Sequence, residues 1–404
     1  MKVLLVKPRE PSHAQQKLCV MPPIGLFSIA MTIQGTGCAV CVCDEHLGED
    51  VETCMDRVRP DIVGISCQYS IQHFEMKRIA HMAKERGCTV VAGGFHAYAV
   101  PRISDVDHVI NGAGEIKMAN FLGVEPHVGL VPCDARVLEP YWDADLPHDL
   151  QSKTKRWASF LTSRGCDNRC SFCGVQDFWG KWRPETCMSI EHQLSFLKGE
   201  GIEELFIEDD NISYGIQRFI FLIKLFKDLE LWWSTPNGIS ARDITDMKVL
   251  DALNGSSCWR LSLAFETGSP KTAKLMRLGN KWLPYYTAQA LVNKLKSIGI
   301  KTCGFFIIGY PGETEGDVNM TLEYANALNL DQRNIYIATP YPGTGLYKEC
   351  ANKGYFTTKD DEELYEKLRY TEGLINTPWL DAKRVEEIRA NDRASAIKRK
   401  TQNV

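Results

Sequence analysis

Several features are missing from this chain of 404 residues. No apolar run reaches the ~18–20 residues that a membrane-spanning helix needs. Positive charge is not in excess. The net charge is −4, which removes any bulk electrostatic reason to expect nucleic acid or an anionic membrane as partner. There is no low-complexity tract and no repeat of solenoid period, which excludes stacked-repeat architectures. The opening run Met1–Pro8 has charges on both sides of a short apolar stretch, so it reads as a first β-strand and not as a signal peptide. Cysteine is plentiful, with 15 residues, but the odd number and irregular spacing argue against a disulfide framework. These features predict a cytoplasmic protein from a reducing, anaerobic setting. Most of its scattered cysteines (Cys19, Cys38, Cys54, Cys88, Cys258, Cys303, Cys350) then serve as small buried hydrophobes.

What is present is ordinary for a globular protein: 44% hydrophobic and 24% charged residues, enough for two or three domains. Residues 1–125 alternate short apolar, β-branched runs (Val3–Val6, Ala39–Cys43, Ile62–Ser66, Thr89–Ala92, Val106–Ile110) with helical patterns (Gly25–Gln34, Val51–Arg57, Glu75–Arg86). Such order predicts a doubly wound, Rossmann-like α/β domain with a parallel sheet covered on both faces. Residues 126–156, interrupted by Pro126, Pro132, Pro140 and Pro147, read as a linker. A second βα series fills residues 157–350. Its strands are expected at Ser159–Thr162, Glu204–Ile207, Trp232–Ser234, Arg260–Phe265, Thr302–Ile308 and Asn334–Ala338. About six units fit a partial, TIM-like (β/α)6 barrel, with functional residues at the C-terminal strand ends. Residues 351–404 read as a short, mostly helical C-terminal extension, its charged stretch Arg384–Lys400 a solvated face.

The chemistry centres on Cys166, Cys170 and Cys173, spaced C-x₃-C-x₂-C between Gly165 and Gly174. Three soft thiolates on a Gly-flanked loop suit an iron–sulfur cluster with one iron left open. A structural zinc site needs four ligands in paired spacing. No second pair completes one here, and Cys187 is the nearest spare thiol.

This spacing, with Phe172 before the last cysteine and a strand ahead of the loop, resembles the radical S-adenosylmethionine (SAM) superfamily. The segments Trp157–Cys166, Glu208–Asn211, Ala264–Ser269, Ile308–Thr314 and Ala338–Thr344 are similar to its cobalamin-associated branch. The resemblance implies a 4Fe–4S cluster whose open iron chelates SAM. Electron transfer then cleaves SAM to a 5′-deoxyadenosyl radical, which takes hydrogen from an unactivated carbon. It implies SAM-binding roles for Phe172, Glu208, Asp210, Glu266, Gly309 and Thr339. Glu208 and Asp210 would accept from the SAM ammonium, Glu266 would bind ribose or ammonium, and Gly309 would allow close approach of the adenosine. The alternatives are a solvated carboxylate cluster, a helix-cap partner, a Pro311-Gly312 turn and a structural turn at Thr339.

The first domain is similar to the cobalamin-binding domain that precedes such barrels. The resemblance implies cobalamin contacts from Pro23, Gly25, Leu26, Asp44, Ser66, Gln68, Tyr69, Gly93, Gly94, His96, Gly112, Gly114 and Glu115. The lower-axial signature Asp-x-His-x-x-Gly is missing, and Asp44-Glu45-His46-Leu47-Gly48 is one residue short. No protein histidine ligand to cobalt is therefore expected, with Gln68 or Tyr69 near its lower face and His46 a loop residue.

The implied activity is C-methylation of an sp³ carbon through methylcobalamin, fed by a low-potential donor of the flavodoxin or ferredoxin type. A short extension would leave the barrel mouth open, as suits an amino-acid side chain in a protein such as methyl-coenzyme M reductase. The alternative substrate is a small metabolite. Ring formation or rearrangement, with or without cobalamin, is the alternative chemistry. No nucleic acid or membrane partner is expected. One of Trp232 and Trp233 is expected to face the barrel interior.

Overall fold

The computed structural model describes residues 1–10, 21–34, 36–100, 102–126, 135–142 and 152–402. Cys19 and most of the expected linker, including Pro132 and Pro147, lie outside the described residues. The chain divides into two compact units, Met1–Phe160 with Glu185–Leu205, and Leu161–Pro184 with Phe206–Val404.

The first unit holds strands β1 (Lys2–Lys7), β2 (Ala39–Asp44), β3 (Ile62–Ser66), β4 (Thr89–Gly93) and β5 (His108–Ile110). Its helices include α1 (Ile24–Ile33), α2 (Val51–Val58), α3 (His73–Glu85), α4 (Phe95–Ala99) and α5 (Gly114–Leu122). The strands pair in parallel in the order β2-β1-β3-β4-β5, as the alternating pattern predicts. Period-two alternation supplies both faces. Leu4 and Val6 join Met76 and Ile79 of α3 in one core. Val3 and Leu5 join Leu26 and Ile33 of α1 and Met118 of α5 in the other. Each large aliphatic buried this way contributes roughly 1.5–3 kcal/mol. The strand order reverses between β1 and β3, so the carboxyl ends of these strands form the crevice where ligands of doubly wound sheets bind.

β5 is shorter than the apolar run suggests. Asp105 takes a left-handed φ of 62°, and Asp107 turns its carboxylate onto Val90 N at 2.8 Å. Gly94, between β4 and α4, has a φ of +97°, and a Cβ there would stand 2.5 Å from Cys67 O. The loop after β3 is thus pressed onto a glycine. Gly94→Ala is expected to destabilise the chain by on the order of 1–3 kcal/mol, read as a lowered thermal unfolding midpoint.

The second sheet contains β6 (Trp157–Phe160), β9 (Glu204–Ile207), β10 (Trp232–Ser240), β11 (Cys258–Glu266), β12 (Lys301–Ile308) and β13 (Gln332–Ile337), in the order β13-β12-β11-β10-β9-β6. Spatial order following chain order is the open partial barrel expected from the βα series. The antiparallel pair β7 (Ser163–Arg164) and β8 (Arg183–Pro184) brackets the cysteine loop. β10 runs longer than expected because it absorbs an irregularity: its register against β11 shifts between Thr235 and Ile239. There Pro236 offers no N–H and Gly238 has a φ of 87°. Trp233 is fully buried. It packs on Phe219 and Phe226 of the helix Ile216–Asp228, with ring centroids 6.2 and 5.5 Å away. It therefore belongs to the core between sheet and helices.

The C-terminal extension folds onto the carboxyl ends of β12 and β13. Ile337 N donates to Tyr370 O at 2.8 Å. Gly309, with φ +78°, abuts Val385 of the helix Ala382–Gln402 so closely that a Cβ would lie 2.9 Å from its Cγ1. These contacts set the extension against the carboxyl ends of two barrel strands.

Candidate active site

The cysteine loop leaves β7 at Gly165, whose φ of +84° brings it beneath Lys181 O, where a Cβ would meet that oxygen at 2.8 Å. Carboxylates at the end of β9 fix its base. Asp209 is buried and accepts from Thr162 N and Thr162 Oγ1, both at 2.6 Å, and from the Ser163 hydroxyl. Asp210 accepts from Gly165 N at 2.8 Å. On the far side, Ser171 is the anchor. Its N donates to Met276 O at 3.0 Å, its carbonyl accepts from Leu346 N at 2.7 Å, and its hydroxyl meets Tyr310 OH at 2.7 Å. Asp167 accepts from Trp182 N at 3.1 Å, which ties the loop to the strand that returns along it.

Between these anchors the three thiols are free of disulfides. Cys170 is buried, Cys166 half-buried and Cys173 exposed, so the set opens on one side. Asn168 Nδ2 lies 3.5 Å from Cys166 Sγ. Phe172 packs beside Met276, Tyr310 and Ala338, which stiffens the loop from within. Three soft donors on a backbone pinned at Gly165 and Ser171 fit a cluster bound by three thiolates.

The structure sorts the other strand-end residues expected from the sequence. Glu208 follows β9 directly, and its carbonyl accepts from Asn237 Nδ2 of the β10 irregularity at 3.0 Å. Asp210 holds the cluster loop. Burial pushes its carboxyl up to about 6, against the opposing bond from Gly165 N. Glu266 ends β11 with a left-handed φ of 68° and accepts from Lys281 Nζ at 2.6 Å. Gly309 does need to be glycine, but the group approaching it in this chain is Val385. Thr339 is buried, and its hydroxyl donates to Ile337 O at 2.9 Å, the hydrogen bond of a structural turn.

Sequence reasoning passed over Glu313, which lies under the Gly309 turn. It is fully buried and accepts from Tyr310 N at 2.8 Å and Thr272 Oγ1 at 3.0 Å. Burial raises it from 4.5 to about 7 despite these bonds. The folded chain therefore keeps a proton that the unfolded chain has lost. The stability it contributes is complete below pH ~4.5 and falls as pH rises toward ~7, by roughly 3 kcal/mol. Glu313→Gln is expected to flatten that slope in urea-unfolding midpoints taken across the same window.

At the carboxyl ends of β1, β3 and β4 the first unit presents a surface of small and open residues. Gly25 has no atom within 4 Å of a built Cβ, and Gly93 meets only Ile110 O at 3.8 Å. Gln68 and Tyr69 are exposed, and Pro23, Ser66 and Gly112 are half-buried. An exposed aromatic and amide beside open glycines fit a large flat ligand laid across these ends. The remaining expected residues face inward. Leu26 is core, and a Cβ on Gly114 would stand 2.6 Å from Ile29 Cδ1, so that glycine sets the α1–α5 approach. Glu115 accepts from Ser28 Oγ at 2.8 Å. Asp44 accepts from Tyr141 OH at 2.7 Å, Lys7 Nζ at 3.2 Å and His46 N at 2.9 Å. His96 is fully buried, its Nδ1 2.8 Å from Ser70 Oγ and its Nε2 2.9 Å from His73 Nδ1. Burial holds it down at about 3. His46 Nε2 lies 2.9 Å from Pro8 O.

Comparison with known proteins finds two families along the chain. Residues 160–325 match the radical SAM superfamily and residues 19–122 match the B12 binding domain. Cytidylyl-2-hydroxyethylphosphonate methyltransferase from Streptomyces wedmorensis is 29% identical over 282 residues, covering 68% of this chain and 52% of that protein. The chain thus spans about half the length of this relative. An uncharacterized methyltransferase from Pyrococcus horikoshii is 27% identical over 387 residues, 86% of this chain and 83% of its own. The radical SAM methyltransferase TsrM from Kitasatospora setae, solved with cobalamin and a 4Fe–4S cluster, shares the fold. Its TM-score is 0.69 at 18% identity, over 87% of this chain and 78% of that one.

Proposed function

We propose, for a chain that belongs to the radical SAM superfamily and carries a B12-binding domain ahead of its barrel, that it is a methyltransferase acting on an unactivated sp³ carbon. When bound, the 4Fe–4S cluster supplies one electron to SAM, and cobalamin supplies a transferable methyl group. The single observation that carries the reading is the three-thiol loop pinned by Asp209, Asp210 and Ser171, in a chain that also holds the open-glycine surface at the β1, β3 and β4 ends.

Cys166, Cys170 and Cys173 hold the cluster in this proposal. Glu208 is the strand-end carboxylate proposed to accept from the SAM ammonium, while Asp209 and Asp210 keep the loop in register. Gly25, Gln68, Tyr69 and Gly93 are proposed to contact cobalamin, with no histidine bonded to cobalt. The buried position of His96 and the engagement of His46 Nε2 with Pro8 O support that reading.

The proposed substrate is a small organic molecule rather than a protein side chain. The extension supports this, because its Tyr370 ring packs in tilted and edge-on contact with Tyr336 and Tyr341, with centroids 5.1 and 5.7 Å away, beside the end of β13. Aromatic rings gathered at that strand end offer apolar contact to a small ligand. The Streptomyces relative is named for a small-molecule substrate. The proposed electron source is a low-potential donor of the flavodoxin or ferredoxin class.

The test is anaerobic reconstitution of the full chain, with iron and cobalt counted and products from methyl-labelled SAM followed against small-molecule and peptide pools. About four irons and about one cobalt per chain, with label in a small molecule, support the proposal. Iron without cobalt would remove methyl transfer while leaving SAM cleavage, and label in peptide would overturn the substrate class.

A further inference from the structure

Arg369, in the C-terminal extension, has no part in the proposal above. Its side chain is only 15% exposed. Nη1 donates to Glu372 Oε2 at 3.1 Å, and Glu372, at 34%, is the more exposed partner. Nε and Nη2 are enclosed, with no hydrogen-bond partner among the described residues. Buried donors are almost always satisfied, and a charged one left over is costly. The two that are left over are not an arbitrary pair. Nε–H and the N–H of Nη2 beside it point the same way. They form the side-on fork of a guanidinium, which matches two oxygens of a carboxylate or a phosphate.

The backbone fixes where this fork stands. Arg369 O accepts from Glu372 N at 3.2 Å and from Thr339 Oγ1 at 3.4 Å. Thr339 lies two residues past β13. The next residue of the extension is tied to the same strand end, where Tyr370 O accepts from Ile337 N. The segment that leaves β13 also holds the cysteine loop. Ala338 shares a packed core with Cys170 and Phe172, and Leu346 N donates to Ser171 O at 2.7 Å. Arg369 and the cysteine loop therefore hang on one short segment, 338–346, at the carboxyl end of the barrel strands, where such folds place their functional residues.

We infer that Arg369 is a specificity-determining residue that takes an oxyanion of the substrate, a carboxylate or a phosphate, in the fork of Nε and Nη2. The inference rests on the reading of this barrel end as a small-molecule site, and it adds the charge class of that molecule. Glu372 occupies Nη1 and so leaves the side-on edge to the ligand. Both nitrogens of the fork are covered in this structure. The oxyanion meets them through a rotamer change of the long arginine stem, a movement common on binding even where the backbone stays fixed. The rings of Tyr336, Tyr341 and Tyr370 gather at the same strand end and suit the uncharged remainder of the molecule.

The experiment titrates the reconstituted full chain with inorganic phosphate and, separately, with acetate, at an ionic strength held constant with chloride. The thermal unfolding midpoint is read for the wild type, Arg369→Met and Arg369→Lys, with and without saturating SAM. Expected is a saturable rise in the wild-type midpoint that SAM leaves in place and that Arg369→Met loses. In Arg369→Lys a point charge replaces the fork, and half-saturation moves to about tenfold higher anion concentration. A rise with phosphate alone assigns a phosphate-bearing substrate, and a rise with acetate assigns a carboxylate. No rise with either anion overturns the inference. So does an equal rise in Arg369→Met, which would mark an adventitious ion only, and so does a rise that SAM abolishes, which would give the fork to SAM itself. Should Arg369→Met fail to fold, Arg369→Lys decides, and a half-saturation unchanged from wild type overturns the inference. Binding is read without turnover, so a chain that binds the anion through Arg369 but methylates nothing keeps this inference and loses the proposed activity.

Discussion

Replacing any one of Cys166, Cys170 and Cys173 by alanine is expected to drop bound iron from about four per chain to well below one, with SAM cleavage lost. The effect is large because the loop offers no substitute thiol within its own sequence, and its carboxylate, Asp167, is engaged with Trp182 N. Asn168 and Ser171 flank the thiols, but an amide and a hydroxyl are poor ligands for iron in a sulfide cluster. Ser171 is in any case engaged with Tyr310 at 2.7 Å. The three variants are expected to fold, since Cys166 and Cys173 are not core residues and Cys170→Ala removes only one buried sulfur. Iron analysis and the visible absorption of the reconstituted protein check this directly. Equal losses at the three positions would identify them as one ligand set, whereas full iron content in any variant would remove that cysteine from the set.

The second large effect belongs to Asp209. Its carboxylate satisfies Thr162 N, Thr162 Oγ1 and the Ser163 hydroxyl at a fully enclosed position. Asp209→Ala leaves all three donors buried without an acceptor. At about 1–3 kcal/mol each, the loss for the three is on the order of 3–9 kcal/mol. Asp209→Asn keeps one acceptor oxygen and is expected to lose about half as much. Asp210→Ala frees only Gly165 N and is expected to cost ~1–3 kcal/mol. Urea unfolding of the apoprotein gives these values free of any metal contribution. An Asp209→Ala midpoint indistinguishable from wild type would show that the loop is held by other bonds.

Periodicity carried most of the fold. The helix Met247–Leu253 and the strand Glu204–Ile207 stand where their apolar patterns place them, because the helix buries one regular face and the short strand is buried throughout. Two-residue strands such as β7 and β8 leave no period to read. Their pairing is imposed by the loop between them, with Gly165 tucked under Lys181. At the site, the sequence marked which backbone positions need glycine or a strand-end carboxylate, but not what approaches them. Gly309 and Gly94 were legible as turn glycines, whereas the groups pressing on them, Val385 and Cys67 O, are matters of tertiary packing. Asp209 and Asp210 were legible as strand-end acids, yet their hydrogen bonds go to the cluster loop's own backbone and hydroxyls. Lys281 was invisible for the same reason. A single lysine after Gly279-Asn280 has no pattern, and its meaning comes from Glu266 arriving on another element.

The close seating of Val385 on Gly309 has a consequence for assembly. During synthesis the turn leaves the ribosome well before the helix that presses on it has been made. The ends of β12 and β13 therefore reach their final packing only after translation has passed Val385. Docking of that helix is thus a long-range step of assembly, separated in sequence from the turn it covers.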